Sequence, residues 1–262
     1  MKRLFSTLFM TSLLCIFYGK ALEQQERQSI NYFNIGPLAA VNFVMHCTHA
    51  VQHAASAQHE IDVNTALAES PAQLVPVLKS YSKAPIKLQK MHRTLCKSMG
   101  LDHTKIHLKL NKAQAKGVYC NSIVKMVVID KPFLKESYAQ QVGVLAHELG
   151  HIKHNDGKNQ LRFNIATSYA TTLGSYFLGY VFHTPYTTTL QENVMELLES
   201  AYSRALERRA DNEAAQVVGG AQGLINYLEK DLDQDKHHTV FSTHPTFKER
   251  IEKLQPYVPQ GK

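Results

Sequence analysis

From Ile86 onward the apolar positions repeatedly change period, and each change marks an element. In "LQKMHRTLCKSMG" they recur at helical spacing and stop at Gly100, which predicts an amphipathic helix. "IHLKL" (residues 106–110) alternates apolar with polar, as a half-buried strand does. "GVYCNSIVKMVVID" reads as a hairpin around Asn121 and Ser122, its second arm (residues 123–129) rich in β-branched side chains. Pro132 closes that sheet region. Ser137 with Gln140 three residues on is a capping box, so a helix starts there. Tyr138, Val142, Leu145, Leu149 and Ile152 form its apolar stripe, and Gly157 is its expected stop. Another long helix is expected from about Glu192 to Val218, before Gly219 and Gly220.

The N-terminal part differs in character. Met1, Lys2 and Arg3 form a basic start, "LFSTLFMTSLLCIFY" an apolar run, and Gly19-Lys20-Ala21 a small-residue cleavage site. Residues 1–21 therefore read as a signal peptide. An uncleaved anchor is the alternative, against which the apolar run is short. Residues 22–85 read as a separate N-terminal helical segment, and residues 86–262 as the main domain. His46, His49 and His53 recur at helical spacing in the N-terminal segment, with His59 beyond. No carboxylate or thiolate pattern accompanies them, so a polar histidine-rich face fits better than an accessory metal site. Residues 163–191 carry no charge, yet "IATSYATTLGSYFLGYVF" is interleaved with Thr, Ser and Tyr. That favours a helical hairpin, buried or touching a membrane, over a span.

Apolar content of 44% and charged content of 19% are those of a globular protein. Losing residues 1–21 would remove Lys2, Arg3 and Lys20 and lower the net charge from +7 to +4. So modest an excess, spread along the chain, implies no nucleic-acid partner. Cys47, Cys96 and Cys120 would remain, with no C-x-x-C pair to suggest a zinc ribbon. In an oxidising compartment two of them can pair and leave one thiol, and the sequence does not choose the pair.

The chemistry concentrates in "QVGVLAHELGHIKHND". On a helix His147 and His151 lie about 40° apart and one turn along the axis, so their imidazoles can converge on one ion. Glu148 lies too far round to be a third ligand and is placed to take a proton from water at the metal. His154 shares the face but lies on the order of 10 Å along the axis from His147. The metzincin pattern H-E-x-x-H-x-x-G-x-x-H is excluded, because His154 holds its glycine slot and Gly157 its last histidine slot. A further ligand must come from elsewhere, and "SAYSRALERRADNEAA" offers Glu207 and Asp211 four apart on one helical face. Glu207 can serve as the carboxylate ligand and Asp211 can accept the outer N–H of a ligating histidine. Taken alone, the same pair also reads as a solvated acidic face matched to Arg204, Arg208 and Arg209.

Together, "HELGH", "SRALERRAD" and "STHPTFKERI" resemble the HtpX-like and BepA-like zinc endopeptidases, gluzincins related to the CAAX prenyl proteases. The resemblance covers about residues 88–254. It implies an α+β, mainly α-helical, zincin-like domain with a small antiparallel sheet beside the H-E-x-x-H helix. It implies one Zn2+ per chain on His147, His151 and Glu207, with Glu148 as general base and Asp211 behind a ligand. The hairpin arm before the helix would be the edge strand that pairs with an extended peptide. Substrates would be polypeptides, specifically misfolded or misassembled envelope proteins. The location implied is periplasmic and membrane-associated, with a membrane surface or the outer-membrane assembly machinery as partners. Where relatives carry an Asn-Ala-x-Ala-like stretch this chain has "GVYCNSIV", and residues 22–85 have no counterpart. His244 and Arg250 match the relatives' His-Pro and following Arg. His244 can latch the metal's open position, and either residue can donate to the oxyanion or tie down the C-terminal helix. The rival class is a non-hydrolytic chaperone or binding protein on the same scaffold, which would not need Glu148.

Overall fold

The computed structural model describes residues 81–111, 117–182, 188–217 and 219–259. The signal-peptide expectation, the histidine-rich face at His46, His49, His53 and His59, and Cys47 lie outside the described residues. Four strands form one sheet: β1 (Ser82–Lys83), β2 (His107–Leu110), β3 (Tyr119–Asn121) and β4 (Met126–Ile129), in the order β1-β2-β4-β3. The hairpin is turned by Asn121, whose Oδ1 accepts the backbone N–H groups of Ile123 and Val124 at 3.1 and 3.2 Å.

The sheet is mixed, not the wholly antiparallel one expected. β1 and β3 pair antiparallel to their neighbours, but β2 and β4 are parallel, with Leu108 opposite Val127. After β2 the chain passes to the far edge to make β3, and the hairpin then inserts β4 between the two. A strand inserted that way must run with β2. The edge assignment changes as a consequence. β4, the arm just before the next helix, is interior and buried throughout, and among the described residues the outer strands are β1 and β3, the latter being the other arm of the hairpin.

Helix α1 (Ile86–Ser98) packs Leu88, Met91, Leu95 and Cys96 into the core, and Gly100 leaves it at a φ of 71°. Helix α2 (Tyr138–Lys153) begins at the expected capping box: Ser137 Oγ accepts the Gln140 N–H and Gln140 Oε1 accepts the Ser137 N–H. Val142, Leu145, Leu149 and Ile152 are buried as expected. Tyr138 is not, being 62% exposed at the first position of the helix. The helix also ends before Gly157. Asn155 turns the chain with a φ of 55°, and α3 (Asp156–Phe182) starts at the next residue.

Helices α3 and α4 (Thr188–Ala215) pack together, with Phe163 stacked on Tyr202 at 4.0 Å. Among the described residues no helix is long and apolar enough to cross a membrane. Two shorter helices follow, α5 (Gly220–Leu228) and α6 (Phe247–Leu254). Helix α2 is covered on more than its apolar stripe. A Cβ added to Gly143 would lie 2.3 Å from Leu224 N of α5, and one added to Gly150 3.1 Å from Ala210 Cα of α4. This double cover buries the face that carries His147 and Glu148.

Cys96 and Cys120 are both free thiols. Cys96 packs beside His92, with Sγ 3.6 Å from Nε2. His92 is 5% exposed, and burial, helped by His103 and His107, pushes its pKa down to about 4. The unfolded chain takes this proton near pH 6.5, whereas the folded protein resists it until about pH 4. The contribution to stability is therefore complete above pH 6.5 and is lost as pH falls toward 4. The expected loss from this residue between pH 7 and pH 4 is about 3 kcal/mol. Urea unfolding at both pH values should show His92→Leu losing correspondingly less stability than wild type. Equal losses would mean that burial of His92 is not the cause.

Candidate metal centre

One turn of α2 places His147 and His151 side by side, their rings edge-on with centroids 4.7 Å apart and their Nε2 atoms separated by 3.2 Å. Glu207, from the C-terminal half of α4, faces both. Its Oε2 is 3.4 Å from His147 Nε2 and its Oε1 is 3.4 Å from His151 Nε2. These three side chains offer ligand atoms that all lie within 4.8 Å of one another.

Each imidazole is held from behind. His147 Nδ1 donates to Asp211 Oδ1 at 2.9 Å, which leaves the lone pair on Nε2. Arg250 of α6 grips Asp211 through two contacts, Nε to Oδ2 at 2.8 Å and Nη2 to Oδ1 at 2.7 Å. Its Nη1 lies 3.6 Å from Glu207 Oε2. His151 Nδ1 donates to Asp156 Oδ2 at 2.8 Å, and Arg209 pairs with the other oxygen of that carboxylate. Asp156 was not singled out from the sequence, and Arg209 was read there only as a partner of the acidic face of α4, whereas it pairs with Asp156. On a continuous helix Asp156 would sit about 140° round from His151, out of reach. Only the turn at Asn155 brings it back.

Glu148 is 8% exposed and stands beside the cluster without belonging to it. Burial raises its pKa, against the neighbouring His147 and His151 and, less strongly, a hydrogen bond from the Cys120 thiol of β3. Cys120 was also missed as a site residue, since an isolated cysteine on a strand carries no signal of its neighbour. His244, in the loop before α6, reaches Glu207 with Nδ1 3.2 Å from Oε1. Its side chain is 66% exposed and does not join the converging set. His154 points elsewhere, to Glu213 of α4 at 2.8 Å. The structure thus brings His147, Glu148, His151, Glu207, Asp211, His244 and Arg250 together.

The electrostatics of the cluster suit a cation. Burial works against a charged His151, but Asp156 and Glu207 outweigh it and push its pKa up to about 10. Burial likewise opposes charge on His147, which Asp211 and Glu207 raise above the ordinary value. Burial also opposes the Glu207 carboxylate, yet hydrogen bonds from His147, His151 and His244 hold it far below the usual range. The centre thus draws positive charge, which a metal ion supplies in place of protons. The spacing agrees. Ligand atoms on a tetrahedral ion with bonds of about 2.0–2.1 Å stand roughly 3.3–3.4 Å apart, against 3.2, 3.4 and 3.4 Å here.

A helix bearing His-Glu-x-x-His, met by a glutamate from a second helix, defines the gluzincin class of metallopeptidase domain. Residues 85–258 match peptidase family M48, and the chain belongs to that family of metalloproteases. It is also 28% identical over 161 residues to a protein named Protease HtpX homolog from Methylibium petroleiphilum. That match takes in 45% of this chain and 55% of the relative, so the chain spans about half the relative's length.

Proposed function

We propose that the protein is a zinc-dependent endopeptidase in which His147, His151 and Glu207 hold the ion and Glu148 is the general base. The convergence of those three side chains, with Glu148 beside them, carries the reading. Two imidazoles and one carboxylate are a donor set typical of catalytic zinc sites that keep one position open. When bound, zinc acidifies water to a pKa near 7 and polarises a peptide carbonyl. Glu148 takes the proton of the attacking water and passes it to the leaving amine. Its buried carboxyl, raised above the ordinary value, is suited to both steps. The extended substrate pairs with the open side of β3, whose Cys120 touches Glu148, so that the bonded peptide runs past the base.

Arg250 acts from behind, since both of its Asp211 contacts and its place near Glu207 lie on the buried side of the cluster. His244 acts from the open side. With Nδ1 on Glu207, its Nε2 is the atom left to donate to the developing oxyanion. His244→Ala should then lower kcat by about 10²–10³-fold without changing the melting temperature. A rise in activity would mean that His244 is a latch, and a fall in melting temperature alone would make it structural.

The basic and apolar start of the chain, read as a signal peptide, is the basis for proposing a periplasmic enzyme that acts on misfolded or misassembled envelope proteins. A membrane surface or the outer-membrane assembly machinery would be its partner. A chaperone without hydrolysis is separated from this reading by one assay. The purified chain should cleave casein, and a chelator should stop it. Casein left intact with zinc bound would favour the chaperone.

A further inference from the structure

We infer that Asp156, clamped by Arg209, is the positioning residue that fixes His151 for the metal, as Asp211 with Arg250 does for His147. The inference rests on the metallopeptidase reading and assigns a role that the sequence pattern does not announce.

The placement of Asp156 is built by the turn between α2 and α3. Helix α2 stops at Lys153, and Asn155 adopts a left-handed φ of 55°. Asn159 Nδ2 donates to the carbonyl of His154 at 2.8 Å, and Asn159 N–H donates to the carbonyl of Asn155 at 3.1 Å. Helix α3 therefore begins at Asp156 with its first turn folded back on His151. The next residue is pinned to the sheet, for Gly157 N–H donates to Ser122 Oγ at 2.6 Å. A Cβ at Gly157 would lie 2.7 Å from that oxygen and 3.0 Å from Ile123 Cγ1, so the close approach requires glycine. The hairpin turn, the helix junction and the zinc-site histidine are thus tied at one point.

Asp156 is 4% exposed, and both of its oxygens are committed, one to His151 Nδ1 and the other to Arg209. A buried carboxylate is tolerated only when paired in this way. The bond to Nδ1 fixes which ring nitrogen faces inward, and the arginine fixes the carboxylate. Helix α4 then supplies three parts of the centre from one short stretch: Glu207 to the cluster, Arg209 to Asp156 and Asp211 to His147. An acidic residue in the first turn of α3 would also be stabilised by the helix dipole, which is the competing structural role.

The test is zinc affinity of the full chain, measured by competition with a chromophoric chelator, alongside thermal melts of the metal-free protein. Asp156→Ala should weaken zinc binding about 10–100-fold. Asp156→Asn keeps an acceptor for Nδ1 and should lose less. Arg209→Met should weaken binding, and Arg209→Lys, which keeps a charged donor, should recover part of it. A purely structural Asp156 would lower the metal-free melting temperature and leave the affinity of the folded protein unchanged, and this result overturns the inference. If Asp156→Ala does not fold, the Arg209 pair and Asp156→Asn decide by the same readout. Wild type that takes up no zinc overturns the metallopeptidase reading and this inference with it. Wild type that binds zinc, with the variants matching it, overturns the inference alone.

Discussion

Glu148→Gln should lower casein hydrolysis by about 10²–10⁴-fold, the range for losing a general base, while zinc uptake stays at the wild-type level. Glutamine keeps the shape and an oxygen that can accept from the Cys120 thiol, but it cannot take a proton. Metal uptake should survive because Glu148 stands outside the converging set. Stability should hold or rise. The residue is 8% exposed and burial already disfavours its charge, so a neutral isostere relieves desolvation. Zinc per chain, the melting temperature and kcat/KM are the three readouts. Retention of more than about a tenth of the activity would place the base elsewhere. Loss of zinc with the activity would show Glu148 to be part of the ion's cage.

The elements that carry this chemistry were readable because their signals are local. Ser137 and Gln140 announce the start of α2, and the four-residue spacings of His147 with His151 and of Glu207 with Asp211 are helix geometry. What the sequence hid depends on contacts across the fold. The strand order placed β4 inside the sheet and left β3 at the edge, because register and crossover follow from loop paths and not from alternation. Gly157 looked like a helix stop, but its missing side chain serves the approach of Ser122. The turn falls on Asn155, one of the few non-glycine residue types that visit the left-handed region. Asp156 was invisible for the same reason, since helical periodicity places it on the wrong side of His151. The burial of α2 on several faces likewise reflects α4 and α5, which no window within α2 could reveal.

Glu207→Ala should remove zinc outright, with a loss of affinity larger than the roughly 10–100-fold typical of an orienting partner such as Asp211. Glu207 is the carboxylate on which His147 and His151 converge, with one oxygen toward each imidazole. Alanine leaves two histidine nitrogens 3.2 Å apart and no anion to balance a divalent ion in a buried site. It also removes the carboxylate that Arg250 Nη1 and His244 Nδ1 both face. The melting temperature of wild type should fall on adding a chelator, by the linkage between metal binding and folding, whereas that of Glu207→Ala should not respond. His154→Ala provides the contrast. His154 is paired with Glu213 away from the cluster, so this variant should keep zinc, its response to the chelator and most of its hydrolysis. If Glu207→Ala kept full zinc while His154→Ala lost it, the ligand would be His154 and α2 would have to bend to bring it in.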